Sequence, residues 1–289
     1  MKQWLKNISI RIDALIKGFF VGSSMSVPGV SGGTMAMILG IYDELISSVS
    51  TFTKQIKRNF FFLLQFLFGA CIGIFLLASV LGELKEKYPI IVMYFFIGAI
   101  FGSVPMLCKK ANVQKFNLSV IIYPLIGILI VLLFGLLPGK LFDGSIAGIG
   151  GILIQIGGGL IAAVALVLPG ISFSHMMLMM GLYDALLFAI KDINIPAMIG
   201  FIPLAIGLFL GIILFTKLLD YVMKKFPFQS YLIIFGFVIG SVANKEVFPG
   251  LPRTFVEWVI SIFVLIIGFI LMFFISKREA RIESSKVLE

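Results

Sequence analysis

Apolar residues fall along this chain in long blocks, with polar residues gathered between the blocks rather than alternating inside them. Blocks near 60–82, 90–108, 117–137, 196–219, 228–244 and 254–276 approach or exceed the ~20 residues that cross a bilayer as a helix, and predict six spans. Two further apolar stretches are interrupted. One begins at Gly18 and breaks at Pro28-Gly29, after which Ser31, a good N-cap, predicts a new helix running to about Val49. The other begins at Gly144, breaks at Pro169-Gly170 and restarts to about Ile190. Ahead of both, Leu5, Ile8, Ile12, Leu15 and Ile16 recur at helical spacing among Lys2, Lys6, Arg11 and Lys17, which predicts a basic amphipathic helix on an anionic membrane surface. The fold class is therefore an all-α polytopic membrane protein, with six clear spans plus two Pro-Gly-broken segments.

The interrupted stretches are copies of one another. Pro28-Gly29-Val30-Ser31-Gly32-Gly33-Thr34, then Gly40-Ile41-Tyr42-Asp43, returns without a gap 141 residues later as Pro169-Gly170-Ile171-Ser172-Phe173-Ser174-His175, then Gly181-Leu182-Tyr183-Asp184. Gly69, Gly73, Gly98, Gly102, Ser103 and Val104 match Gly207, Gly211, Gly236, Gly240, Ser241 and Val242 at an offset of 138, as Pro89 matches Pro227. The chain divides into a first repeat at 1–137, which carries the amphipathic helix, a second repeat at 144–276, and a charged tail at 277–289.

With 60% hydrophobic and 13% charged residues and a mean hydropathy of +1.13, no stretch suffices for a soluble domain. The net charge of +9 points to topology rather than to nucleic acid, because the cations sit in loops. Lys and Arg number four before Gly18, three in 50–59, three in 109–116, three in 217–225 and four after residue 276. The remaining six lie in the intervening loops at 83–88, 138–143, 191–194 and 245–253. The rich side is cytoplasmic on this pattern and holds both termini. Each first-half loop then has its counterpart on the opposite side, an inverted-topology tandem repeat. Parity requires 18–49 to begin and end inside, and 144–190 outside, either as re-entrant hairpins with Pro-Gly at the tip or as pairs of spans. Gly18–Val27 offers roughly 15 Å of helix, about half the hydrocarbon thickness, which favours a hairpin. Cys71 and Cys108 make neither a disulfide framework nor a metal site, and no cleaved leader, metal or cofactor is expected.

Two breaks at matching positions of inverted halves point to a transporter binding site. A helix that starts within the membrane aims free N–H groups and its positive dipole end into that site, which suits an anion such as a phosphate. In the first tip Gly32 and Gly33 permit close backbone approach and Ser31 and Thr34 add hydroxyls; the second tip offers Ser172, Ser174 and His175. The alternative is that both Pro-Gly sequences merely kink packed helices. His175, the one histidine, is either a packing residue or a phosphate or proton group. Asp43 and Asp184 fall in the last third of the motif helices, as coupling carboxylates or interfacial ones; Tyr42 and Tyr183 beside them are gating groups or aromatic anchors. Lys17 is a headgroup contact or a snorkelling cation. The glycines spaced four apart are close-packing positions.

The stretch from Lys17-Gly18 through the first motif to Asp43, with Pro169-Gly170-Ile171-Ser172 through Asp184, resembles the polyprenyl-phosphate transporter family, and the likeness covers nearly the whole chain. Phe173 stands where that family has glycine, which favours hydroxyl or imidazole contacts at the second tip. The resemblance implies transport of undecaprenyl phosphate from the outer to the inner leaflet of the bacterial cytoplasmic membrane, recycling the lipid carrier of cell-wall glycans. A bare phosphate cannot cross hydrocarbon, so the headgroup needs a polar path while the prenyl tail stays among membrane lipids. Moving it inward costs about 2.3 kcal/mol per charge per 100 mV. A coupled proton or other cation, carried at His175 or on the phosphate, removes that cost, with rocking of the two halves giving alternating access. A transporter or channel for a small soluble anion fits the repeat equally. A membrane lipid phosphatase needs two histidines and an arginine clamp, which this chain lacks. A purely structural partner of a cell-wall machine leaves the duplicated breaks unexplained. The oligomeric state stays open.

Overall fold

The computed structural model describes residues 12–25, 31–115, 117–135, 148–171, 173, 176–177, 180–182, 186, 195–243 and 250–287. Among these the chain is all helical. In order the helices are α1 (Ile12–Met25), α2 (Gly32–Ile38), α3 (Tyr42–Ser50), α4 (Ile56–Lys87), α5 (Pro89–Lys110), α6 (Ser119–Gly135), α7 (Gly148–Val167), α8 (Ile195–Gly200), α9 (Ile202–Lys225), α10 (Pro227–Ala243) and α11 (Phe255–Val287). Among the described residues five of them, α4, α5, α7, α9 and α11, are long and apolar enough to cross a membrane, and α6 and α10 are shorter apolar helices. The protein is a multi-pass membrane protein. Its apolar exterior is what a lipid-facing surface requires: Phe75, Phe209, Phe263 and Phe274 all stand outward.

Local signals explain the boundaries. Pro89 and Pro227 each open a helix, where a missing N–H costs nothing, and Tyr88 and Phe226 before them leave the helical region with φ near −130°. The charged ends of α4 and α11 continue as helix beyond the apolar blocks, so the tail expected at 277–289 is helical to Val287.

Two expectations are corrected. The amphipathic segment does not stop at Gly18. Its described part, from Ile12, runs on through Gly18 and Gly22 as one helix to Met25, because those glycines lie against the α4 backbone at Phe66 and Ala70 and packing offsets their poor propensity. The apolar stretch after Gly144 is helical from Gly148 to Val167. α7 holds 20 residues, about 30 Å of helix, whereas α1 holds 14, about 21 Å. Finally, the helix starting after Ser31 does not run to Val49. It stops at Ile38, and α3 starts afresh at Tyr42.

Helices pair closely as α1 with α4, α7 with α9, α5 with α11 and α6 with α10. Glycines set each crossing. A Cβ at Gly69 or Gly73 would overlap the Leu15 or Phe19 carbonyl of α1, and a Cβ at Gly207 the Ile156 carbonyl of α7. Gly98 and Gly102 meet α11 at Leu265 and Phe269, while Gly236 meets α6 at Pro124. These residues are the close-packing positions their spacing suggested. The last two pairs join elements from opposite halves of the sequence, so the halves interleave.

Candidate functional site

Ser31 has the extended backbone of an N-cap (φ −76°, ψ 135°), but its hydroxyl does not cap the helix. Met35 N–H donates to the Ser31 carbonyl at 3.1 Å, so the amides of Gly32, Gly33 and Thr34 precede the first intrahelical bond. α2 has only seven residues, a far weaker dipole source than the long helix expected from the sequence. Met25, the last residue of α1, lies over Gly32; a Cβ there would be 2.9 Å from its Sδ. α1 and α2 thus pack together on either side of residues 26–30, which lie outside the described residues.

The break after α2 is built by Gly40. Its φ of +72° suits glycine, Gly40 N–H donates to the Met37 carbonyl and Ile41 N–H to the Ala36 carbonyl, and buried Ile41 seals the turn. This is a Schellman C-terminus. The second copy ends alike: Gly181 has φ +70° and Leu182 N–H donates to the Met177 carbonyl at 3.0 Å. Asp43 consequently lies in the first turn of α3, not in the last third of a long motif helix.

The two motifs touch. Gly170 N–H donates to Thr34 Oγ1 at 3.0 Å. A Cβ at Gly33 would sit 3.1 Å from the Cα of Pro169, itself fully buried. The Tyr42 hydroxyl donates to the Val167 carbonyl at 2.8 Å. Gly170, at φ +88°, has the Phe237 carbonyl of α10 where a Cβ would be. Thr34, expected to offer its hydroxyl to a ligand, uses its acceptor capacity to join the motifs, and Tyr42 is a buried tether rather than an interfacial anchor.

Asp43 pairs with Lys110, the last residue of α5, through its Oδ2. Its Oδ1 is buried without a hydrogen-bond partner among the described residues. The Lys110 side chain is only 8% exposed and its Nζ stands 6.0 Å from the Tyr231 ring centroid. Loop-charge counting assigned Lys110 to topology; burial makes it part of the site's electrostatics, and no signal in the sequence links residues 43 and 110. Lys17 is buried in α1, with Nζ 3.4 Å from Asp13 Oδ1. It stands eight residues before Met25, about 12 Å along the helix. Ser172, Ser174, His175, Tyr183 and Asp184 lie outside the described residues; Phe173 packs against the core. Among the described residues no cluster of His, Cys, Asp or Glu could hold a metal ion.

A model of the undecaprenyl phosphate translocase-like family matches residues 21–261. The chain is 34% identical to a polyprenyl-phosphate transporter of Staphylococcus aureus over 93% of this chain and 97% of the relative. It is 26% identical to a polyprenyl-phosphate transporter of Vibrio cholerae over 80% of this chain and 76% of that protein. No solved structure matches.

Proposed function

Because this chain belongs to the undecaprenyl phosphate translocase-like family, we propose that it carries undecaprenyl phosphate from the outer to the inner leaflet of a bacterial cytoplasmic membrane and handles the headgroup where its two Pro-Gly motifs meet. The curated relatives are named as transporters, so the activity is carriage, not catalysis. The observation that carries the site is the Thr34–Gly170 bond across 136 residues of sequence. The amides of Gly32 and Gly33, which precede the first intrahelical bond, and the Ser31 hydroxyl serve the phosphate from the first motif, and Ser172, Ser174 and His175 are the candidate contacts of the second.

The inverted repeat is supported by particulars. Matched glycines line matched crossings, matched prolines open α5 and α10, Gly40 and Gly181 end matched helices, and the exchange of partners is reciprocal, α5 with α11 and α10 with α6. The cation-rich loops face the cytoplasm. Since the halves interleave, they do not rock as intact bodies; α1–α4 and α7–α9, which carry the motifs, move apart from each other along the other four helices. Parting the tips breaks the Thr34–Gly170 and Tyr42–Val167 bonds, together about 1–3 kcal/mol net. Headgroup contacts can repay that. A proton at His175 or on the phosphate offsets the membrane potential.

The test uses proteoliposomes loaded with undecaprenyl phosphate, following headgroup accessibility at the outer surface with and without a pH gradient. Protein-dependent loss of accessibility, abolished by Ser31→Leu, is expected. No movement above protein-free liposomes under any gradient would sink the lipid reading and leave a soluble anion as cargo. His175→Gln with full transport and an unchanged pH profile rules out the histidine as proton carrier.

A further inference from the structure

A cavity of about 420 Å³ lies between α9, α10 and the end of α7, within the usual size of a small-ligand pocket. Leu219, Val222 and Phe226 line it from α9 and Ile233, Ile234 and Phe237 from α10. Its one hydroxyl, that of Ser230, is turned back onto its own chain, donating to the Phe226 carbonyl at 2.7 Å, so the wall is apolar. The α10 lining runs from Gln229 to Phe237, eight residues or about 12 Å, which makes the cavity a slot rather than a sphere. Its inner end is the second motif. Leu168 lines it and is bonded in sequence to Pro169, and Phe237 is the residue whose carbonyl backs Gly170. Its outer end is the corner at Phe226-Pro227, beside the cations Lys224 and Lys225.

An apolar slot that starts at a polar, backbone-rich junction and ends at a charged helix corner has the layout of a head-and-tail ligand. We infer that this slot takes the isoprene units next to the phosphate of a polyprenyl phosphate, holding the tail along α9 and α10 while the headgroup is at the motif junction. This rests on the transport reading above and adds the tail subsite, with Val222 of α9 and Ile233 of α10 in its two walls. A tail held there keeps the headgroup in register with Gly32 and Gly33, so the slot selects polyprenyl phosphates over phospholipids that share only the phosphate.

The test is photo-crosslinking of the wild-type protein, in bilayers, to a polyprenyl phosphate carrying a diazirine on its first isoprene unit. Adducts in peptides containing Val222 or Ile233, displaced by excess undecaprenyl phosphate but not by equal phosphatidic acid, are expected. Adducts elsewhere only, or displacement by phosphatidic acid just as well, overturn the subsite. In the transport assay, Val222→Trp and Ile233→Trp should slow undecaprenyl phosphate about tenfold or more by overfilling the slot, with Leu214→Trp on the lipid-facing side of α9 within about twofold of wild type. Folded Val222→Trp and Ile233→Trp at wild-type rates also overturn it. Wild type that fails to transport yet crosslinks in the slot would instead refute the transport reading and keep the binding site.

Discussion

Thr34→Val keeps the shape of the side chain and removes its oxygen. Thr34 is 4% exposed and Gly170 N–H has its Oγ1 as acceptor at 3.0 Å, so the variant strands a buried donor against a methyl group. That costs about 1–3 kcal/mol, which raises the fraction of molecules with the tips apart by about 5–150-fold. Thr34→Ser loses a methyl but keeps the acceptor, so it should leave that fraction within about threefold. Amide hydrogen exchange reads the difference directly, because protection follows local opening and Pro169 beside Gly170 has no N–H of its own. In detergent-solubilised protein, the peptide covering Gly170 should exchange about 5–150-fold faster in Thr34→Val than in wild type, with Thr34→Ser near wild type. Equal protection in all three proteins would refute the claim that this bond holds the two motifs together.

Two further outcomes follow from the same geometry. Gly170→Ala combines a positive φ with a Cβ against the Phe237 carbonyl, whereas Gly250→Ala, at φ +107°, meets open space; both lose about 1–2 kcal/mol for the backbone, and denaturant titration in detergent should find Gly170→Ala the costlier of the two. Asp43→Asn leaves buried Lys110 without its counter-charge, while Lys110→Met leaves an Asp43 carboxylate whose Oδ1 is already buried without a partner among the described residues. Both single variants should destabilise, and a double-mutant cycle should return a coupling of about 0.5–3 kcal/mol.

Much of this fold is legible before any coordinates. Apolar blocks give most of the spans, and glycines four apart mark the crossings, because a helix face without side chains has little use except close approach. The duplicated Pro-Gly sequence also marks the two places that come together, although not how. The break at Gly40 and Gly181 has a sequence form, glycine followed by a bulky apolar residue as at a Schellman end, but the apolar run of Met35–Ile41 continues through it and hides it. The Asp43–Lys110 pair was not legible. Its partners are 67 residues apart, and a loop-end lysine carries the same letter whether it faces water or is buried against Tyr231. The tethering roles of Thr34 and Tyr42 were hidden for the same reason, since a hydroxyl's partner is chosen by tertiary contact.

The exchange of helix partners also governs how the molecule can be made. α1 and α4 are near in sequence and can cross as soon as both are synthesised. α5 cannot: the face carrying Gly98 and Gly102 fits α11, the last helix of the chain, and α6 must wait for α10. During translation the first half therefore sits in the bilayer with two small-residue faces uncovered, and its assembly is completed only after Phe255–Val287 has emerged. A nascent chain stalled before residue 255 should be a substrate for membrane quality control even though every helix of its first half has been synthesised.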